Sequence, residues 1–162
     1  MTVKNKRGYK VLKSENIHAN TISLLGKGIL ILGPSGSGKS DISLRLICNH
    51  NAVLIADDRT LIQVQNGVLK ASCPKNIKGL LEVRGVGICK IPHKEKATIS
   101  LVVELVDSLE KITRLPENRT MEILNIQIPS IKIYPFEVSA PEKIIAAICY
   151  QKTENILPFK SD

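Results

Sequence analysis

The chain has 162 residues, 43% of them apolar, and carries a formal net charge of +8. That length and composition suit one globular domain with a core of its own and exclude disorder over most of the chain. With three Tyr, two Phe and no Trp, the core must rest on Ile, Leu and Val, and the aromatic platform that single-stranded nucleic acid binding uses is missing.

The basic excess is partly local, since Lys4, Lys6, Arg7, Lys10 and Lys13 crowd the start of the chain. Residues 1–14 read as a solvated basic tail on a single domain spanning 1–162. No nucleic-acid motif accompanies the charge, so no nucleic-acid partner is expected. No apolar signal segment follows the basic residues and no run reaches membrane-spanning length, which points to a cytoplasmic protein without a membrane partner. Cys48, Cys73, Cys89 and Cys149 are widely spaced, without a C-x-x-C pair, and read as buried reduced thiols rather than a zinc site or a disulfide framework.

In chain order, "NIHANTISLLGKGILILG" predicts two strands joined at Gly26-Lys27-Gly28. The second, Ile29 to Leu32, is apolar throughout, as a strand buried on both faces should be. "SDISLRLICNH" places Ile42, Leu46 and Cys48 at roughly helical spacing. A further apolar run over 52–56 ends in Asp57-Asp58. Strand, glycine-rich loop, helix and strand together make a βαβ unit. "LIQVQNGVLKA" predicts a hairpin turning at Asn66-Gly67, and "KGLLEVRGVGI" an ordered loop approached closely by backbone or ligand. "ATISLVVELVD" and "EILNIQIPSIKIYPF" read as strands, the latter confined by Pro129 and Pro135 to edges or breaks. "PEKIIAAICYQ" predicts a last amphipathic helix, with Pro141 in its first turn and Ile144, Ile145 and Ile148 on one side.

The stretch "GPSGSGKS" at 33–40 fits G-x-x-x-x-G-K-[ST]. Gly33, Gly36 and Gly38, with Pro34, Ser35 and Ser37 between them, let successive backbone N–H groups turn inward around an anion, and the following helix adds the positive end of its dipole. Lys39 is expected on the β- and γ-phosphates, and the Ser40 hydroxyl on Mg²⁺. A glycine-rich turn that merely caps a helix would not need the preceding apolar strand. In a βαβ unit the carboxyl ends of the two strands share an edge, so Asp57 and Asp58 should lie beside the loop, with one of them facing the γ-phosphate. An acid there can hold Mg²⁺ or accept a proton from an attacking hydroxyl. A GTPase would need N-K-x-D after the loop and D-x-x-G near Asp57. The chain has "DDRT" there, and its "NK" at Asn5-Lys6 lies upstream without the Asp.

Taken together, "GPSGSGKS", "LIADD" and above all "LLEVRGVGI" resemble the catalytic domain of the HPr kinase/phosphorylase family. The last segment is the most specific, because E-[IV]-R-G-x-G-I is that family's signature and has no general phosphate-loop meaning. The likeness is strong over 17–91 and weaker to 150, and it is similar to the short alphaproteobacterial form without a separate N-terminal domain. It implies an α/β fold, a P-loop nucleotide-binding domain of the HPr kinase/PEP carboxykinase-like type, with a mixed sheet and extra β-hairpins. It also implies an ATP- and Mg²⁺-dependent serine kinase acting on an HPr-like phosphocarrier protein, reversible by phosphorolysis, and a homo-oligomer.

Carried over by matching residues, the loop at 33–40 would bind ATP or inorganic phosphate, and Asp57 would deprotonate the substrate serine. Asp58 and Glu82 would support the metal beside Ser40. Arg84, Gly85 and Gly87 would form the loop around it. His18 stands at the family's histidine, although a lone strand histidine is otherwise a packing residue. Arg114, in "TRLPE", matches an arginine that would stabilise transferred charge. His50 and His93 read as surface residues. Where family members carry Pro-x-Arg-Pro-Gly-Arg, this chain has "YPFEVSAPEK", which lacks two arginines and weakens the expectation of phosphorolysis. Asp41 replaces a glutamate. Two alternatives stay open: a small-molecule kinase using Arg114 or Arg119 on a lid, and a nucleotide-responsive regulator without transfer activity.

Overall fold

The computed structural model describes residues 14–149 together with 3–4 and 10–11. The expected basic tail lies largely outside them. Within that stretch Val3–Lys4 (β1) and Lys10–Val11 (β2) pair antiparallel.

The chain then forms β3 (Ser14–His18), β4 (Asn20–Leu24) and β5 (Lys27–Leu32), followed by helix α1 (Lys39–His50), β6 (Val53–Ala56) and β7 (Arg59–Gln65). Next come β8 (Val68–Ser72), β9 (Leu80–Val83), β10 (Gly87–Lys90) and the ten-residue β11 (Lys96–Leu105). β12 (Arg119–Ile123), β13 (Ile126–Ile133) and α2 (Ala140–Cys149) complete it.

Strand β11 organises the molecule by changing partner along its length. Its first residues pair antiparallel with β8, which continues through β7 to β3. Beyond a register shift between Ile99 and Leu101 it runs parallel to β5 on one side and to β13 on the other. The second sheet therefore reads β12-β13-β11-β5-β4-β6. Helices α1 and α2 cover one face of it: Ile29, Ile31, Ile42, Leu46, Val103 and Ile144 belong to one buried cluster. Leu30 and Val102 point the other way and join Ile62, Leu69 and Ala71 of the β7-β8 sheet in a second cluster. The period-two alternation of a strand explains this division, and the run at 29–32 is apolar because β5 is covered on both faces. Burying an Ile or Leu side chain fully contributes about 1.5–3 kcal/mol, so the twelve largest fully buried side chains, all Ile or Leu, hold the layers together.

Several expectations change in detail. The β4–β5 turn is Leu25-Gly26, with φ of 51° and 77°, one residue earlier than the glycine pattern suggests. Gly28 lies inside β5, where a Cβ would meet the Thr98 carbonyl oxygen at 2.6 Å, so glycine serves close strand approach there rather than a turn. The segment read as an ordered loop is the β9–β10 hairpin. Pro129 sits within the unbroken β13, paired with Thr120 of β12 alone, immediately before pairing with β11 begins at Ser130, so it occupies an edge stretch rather than a break. Cys73 is buried, but Cys48 and Cys149 are exposed and Cys89 is half-buried. Apolar neighbours in sequence misplace Cys48 because α1 turns its buried side through Ile42, Ser43 and Leu46.

The βαβ unit also needs correcting. β5 and β6 point the same way but are not neighbours, because β4 lies between them, antiparallel to both. The carboxyl ends of β13, β11, β5 and β6 and the amino end of β4 therefore share one edge.

Candidate active site

At that edge the chain leaves β5 into the glycine-rich loop and enters α1. Gly38 is the residue before the helix, with φ of 96°, a conformation that favours glycine. A Cβ at Gly33 would meet Ser37 Oγ and lie 3.2 Å from Leu105 Cβ, so the loop packs closely on itself and on β11 there. Ser37 Oγ is shielded from solvent and has no hydrogen-bond partner. Lys39 is buried, 6% exposed, and its Nζ donates to the Gly33 and Pro34 carbonyls at 2.8 and 2.9 Å. Burial pushes its pKa below 10.5, against the opposing pull of Asp58 and Asp57. A buried ammonium beside a glycine-bearing turn at the amino end of a helix makes a cradle that suits a phosphate chain.

Asp57 directly follows β6 and is 7% exposed. Its Oδ1 accepts from Ser40 Oγ at 2.8 Å and from Asn20 Nδ2 at 2.6 Å, and its Oδ2 accepts from the Glu82 N–H at 3.0 Å. Three donors from three elements thus fix the carboxylate. Asp58 follows with φ of 61°, turns towards solvent and pairs with His18 Nε2 at 2.7 Å.

Two chain segments pass between the sheets at this point, β3 to β4 through Ala19 and β6 to β7 through Asp57-Asp58. The Ala19 N–H donates to the Asp58 carbonyl at 3.1 Å, tying the crossings together. That juxtaposition, rather than a strand face, brings His18, Asn20, Asp57 and Asp58 side by side.

A cavity of about 390 Å³ joins these groups. Ser35, Gly36, Gly38, Lys39 and Ser40 line it from the loop, and His18, Asp57, Asp58, Glu82 and Arg84 from the other side. Gly33, Pro34 and Ser37 lie behind the lining and shape the loop. Arg114 stands apart: it is exposed, between a short 3-10 turn and β12, and does not line the cavity. Arg119 pairs with Glu104 at 3.2 Å. His93 is exposed as expected, whereas His50 is half-buried against Glu142 at 3.3 Å. Asn20 escaped the sequence reading; its one signal is a polar side chain opening the wholly buried strand β4.

The oxygen donors suit a magnesium–nucleotide pair. Among the described residues no group of three or more His, Cys, Asp or Glu could hold a metal alone. Ser40, Asp58 and Glu82 instead offer a few hard oxygens along the same cavity, which suits Mg²⁺ that takes its remaining ligands from phosphates and water. Also among the described residues, no helix is long and apolar enough to cross a membrane.

Comparison with known proteins bears on this arrangement. The HPr Serine kinase C-terminal domain family matches residues 9–157. The chain is 37% identical over 131 residues to the HPr kinase/phosphorylase of Malacoplasma penetrans (strain HF-2), covering 74% of this chain and 43% of that relative. It is 33% identical over 150 residues to the HPr kinase/phosphorylase of Lactobacillus acidophilus, covering 86% of this chain and 46% of the relative. The structure of the Hpr(Ser) kinase/phosphatase from Coxiella burnetii matches with a TM-score of 0.73 and 28% identity, over 83% of this chain and 93% of that one. The chain therefore spans less than half the length of these curated relatives.

Proposed function

The chain belongs to the HPr serine kinase C-terminal domain family, and on that premise we propose that it transfers the γ-phosphoryl group of ATP to a serine of an HPr-like phosphocarrier protein. The observation that carries this reading is the Asp57 carboxylate fastened 2.8 Å from the phosphate-loop hydroxyl of Ser40. A serine hydroxyl is a poor nucleophile unless its proton has somewhere to go as attack proceeds. Asp57 takes that proton, and its three hydrogen bonds hold it in place without reorganisation at the moment of transfer.

The loop N–H groups and Lys39 neutralise the phosphates. When an anion arrives, Lys39 exchanges the Gly33 and Pro34 carbonyls for phosphate oxygens. Ser40, Asp58 and Glu82 would hold Mg²⁺, which when bound would supply charge neutralisation to the phosphoryl group in transfer. His18 orients Asp58 through its 2.7 Å contact. Arg114 has only the family likeness behind a role in charge stabilisation. In the reverse direction Asp57 would return the proton to the seryl oxygen as inorganic phosphate attacks. The altered segment at 134–143 makes this the weaker activity. The reading carries with it a cytoplasmic setting and homo-oligomeric assembly.

The deciding experiment mixes the protein, Mg·ATP and a purified HPr-like carrier and locates added phosphate by mass spectrometry. Phosphoserine on the carrier is expected. A protein that binds ATP and leaves the carrier unmodified would overturn the assignment.

A further inference from the structure

The strand order β12-β13-β11-β5-β4-β6 gives the cavity two unlike ends. The phosphate loop leaves β5 at its centre. Asp57 leaves β6, two strands to one side, and the segment after β13 lies two strands to the other. In-line phosphoryl transfer puts the attacking hydroxyl and the leaving nucleotide on opposite sides of the γ-phosphorus. With the proton acceptor at the β6 end, the nucleoside must depart towards β13.

That end carries Phe136, the only Phe, Tyr or Trp among the described residues that lines the cavity. The residue is 59% exposed, although an aromatic ring is costly to leave in water. A Cβ built at Gly38 would lie 3.3 Å from its Cζ, so the ring edge abuts the start of α1. Leu44 of α1, the chain neighbour of Arg45, also lines the cavity. The segment is held rigidly from beneath: Arg45 donates to the Pro135 carbonyl at 2.6 Å and to those of Glu137 and Val138 at 2.9 Å. Tyr134 braces the Phe136 ring edge-on at 5.6 Å.

We infer that Phe136 is the base-stacking wall of the nucleotide site, with Leu44 beside it, taking the purine of the ATP whose phosphates occupy the loop at 33–40. This rests on the kinase reading for the direction of transfer, but concerns nucleotide binding alone. A clamped, half-bare ring in continuity with a phosphate cradle binds a flat base at small entropic cost.

Calorimetry with ATP and with inorganic tripolyphosphate, which has the phosphates and no base, tests it on the full chain. Phe136→Ala is expected to weaken ATP about ten-fold or more, within the range stacking supplies, and to leave tripolyphosphate unchanged. Phe136→Tyr should restore ATP binding. Val138→Ala, at a 92% exposed neighbour outside the cavity, should change neither. Because the chain has no Trp, Phe136→Trp supplies a single Trp, excited apart from the tyrosines, whose fluorescence ATP should quench and tripolyphosphate should not. Equal losses for both ligands, no loss for either, or a raised carrier KM with unchanged ATP affinity would each overturn the inference. So would a wild-type protein that binds neither ligand, or ATP no more tightly than tripolyphosphate. A protein that binds ATP through Phe136 yet never phosphorylates the carrier would sink the kinase reading and leave this one standing.

Discussion

Asn20 and Asp57 are joined by a 2.6 Å hydrogen bond between the amino end of β4 and the carboxyl end of β6. The same amide accepts from the Asp58 N–H at 2.9 Å through its Oδ1, and it is wholly buried. One side chain thereby aims the proposed base and holds the left-handed backbone that turns Asp58 towards His18.

Asn20→Ala would leave a buried carboxylate oxygen and a backbone N–H short of partners, costing about 1–3 kcal/mol of stability. Misplacement of Asp57 should also lower kcat on the order of 10²-fold, while ATP affinity stays near wild type. Thermal unfolding, ATP calorimetry and carrier phosphorylation together check this. Unchanged turnover would show that Asp57 needs no support from β4.

Asp57→Asn keeps the shape and removes the proton acceptor. Phosphoryl transfer should fall about 10²- to 10⁴-fold with nucleotide binding retained, measured as single turnovers of labelled ATP. Transfer at the wild-type rate would remove Asp57 from the role of base.

Lys39 gives a pH signature. In the folded protein burial lowers its pKa below 10.5, so between the lowered value and 10.5 the unfolded chain binds more protons than the folded one. In the absence of anion, stability from this group therefore rises with pH through that window and is lost as pH falls through the folded value. A polyphosphate in the cradle favours the charged form and raises the pKa again. ATP binding in the alkaline range should therefore take up protons, seen as a buffer-dependent calorimetric heat. Lys39→Met should abolish the uptake, and proton release on binding would contradict the assignment.

The cysteines should react in the order of their environments. Burial raises the Cys73 thiol above 9.0, and only 5% of the residue is exposed, so it lacks both thiolate and access. Cys48 and Cys149 are exposed and should be carbamidomethylated first by iodoacetamide in native buffer. Peptide mapping that finds Cys73 modified as quickly would refute this packing.

Features that depend on a few consecutive residues could be read without the fold. The phosphate loop is such a feature, since its glycines, Lys39 and Ser40 act within one turn of backbone. So is the Asn66-Gly67 hairpin, whose φ values of 52° and 75° are those the pair favours. Two-sided burial of β5 also followed from its unbroken apolar run, and the rule that parallel strands end at one edge placed Asp57 near the loop. The insertion of β4 between β5 and β6 was not legible, because strands of like composition can pair in several orders. Nor was Asn20, whose side-chain partners lie in α1 and in the turn after β6. The exposure of Cys48 and the approach of Phe136 to Gly38 were likewise decided by which faces α1 and β13 turn to their neighbours. Local chemistry determined what kind of anion the chain can hold. Packing, which couples residues far apart through burial and shared hydrogen bonds, decided which groups surround it.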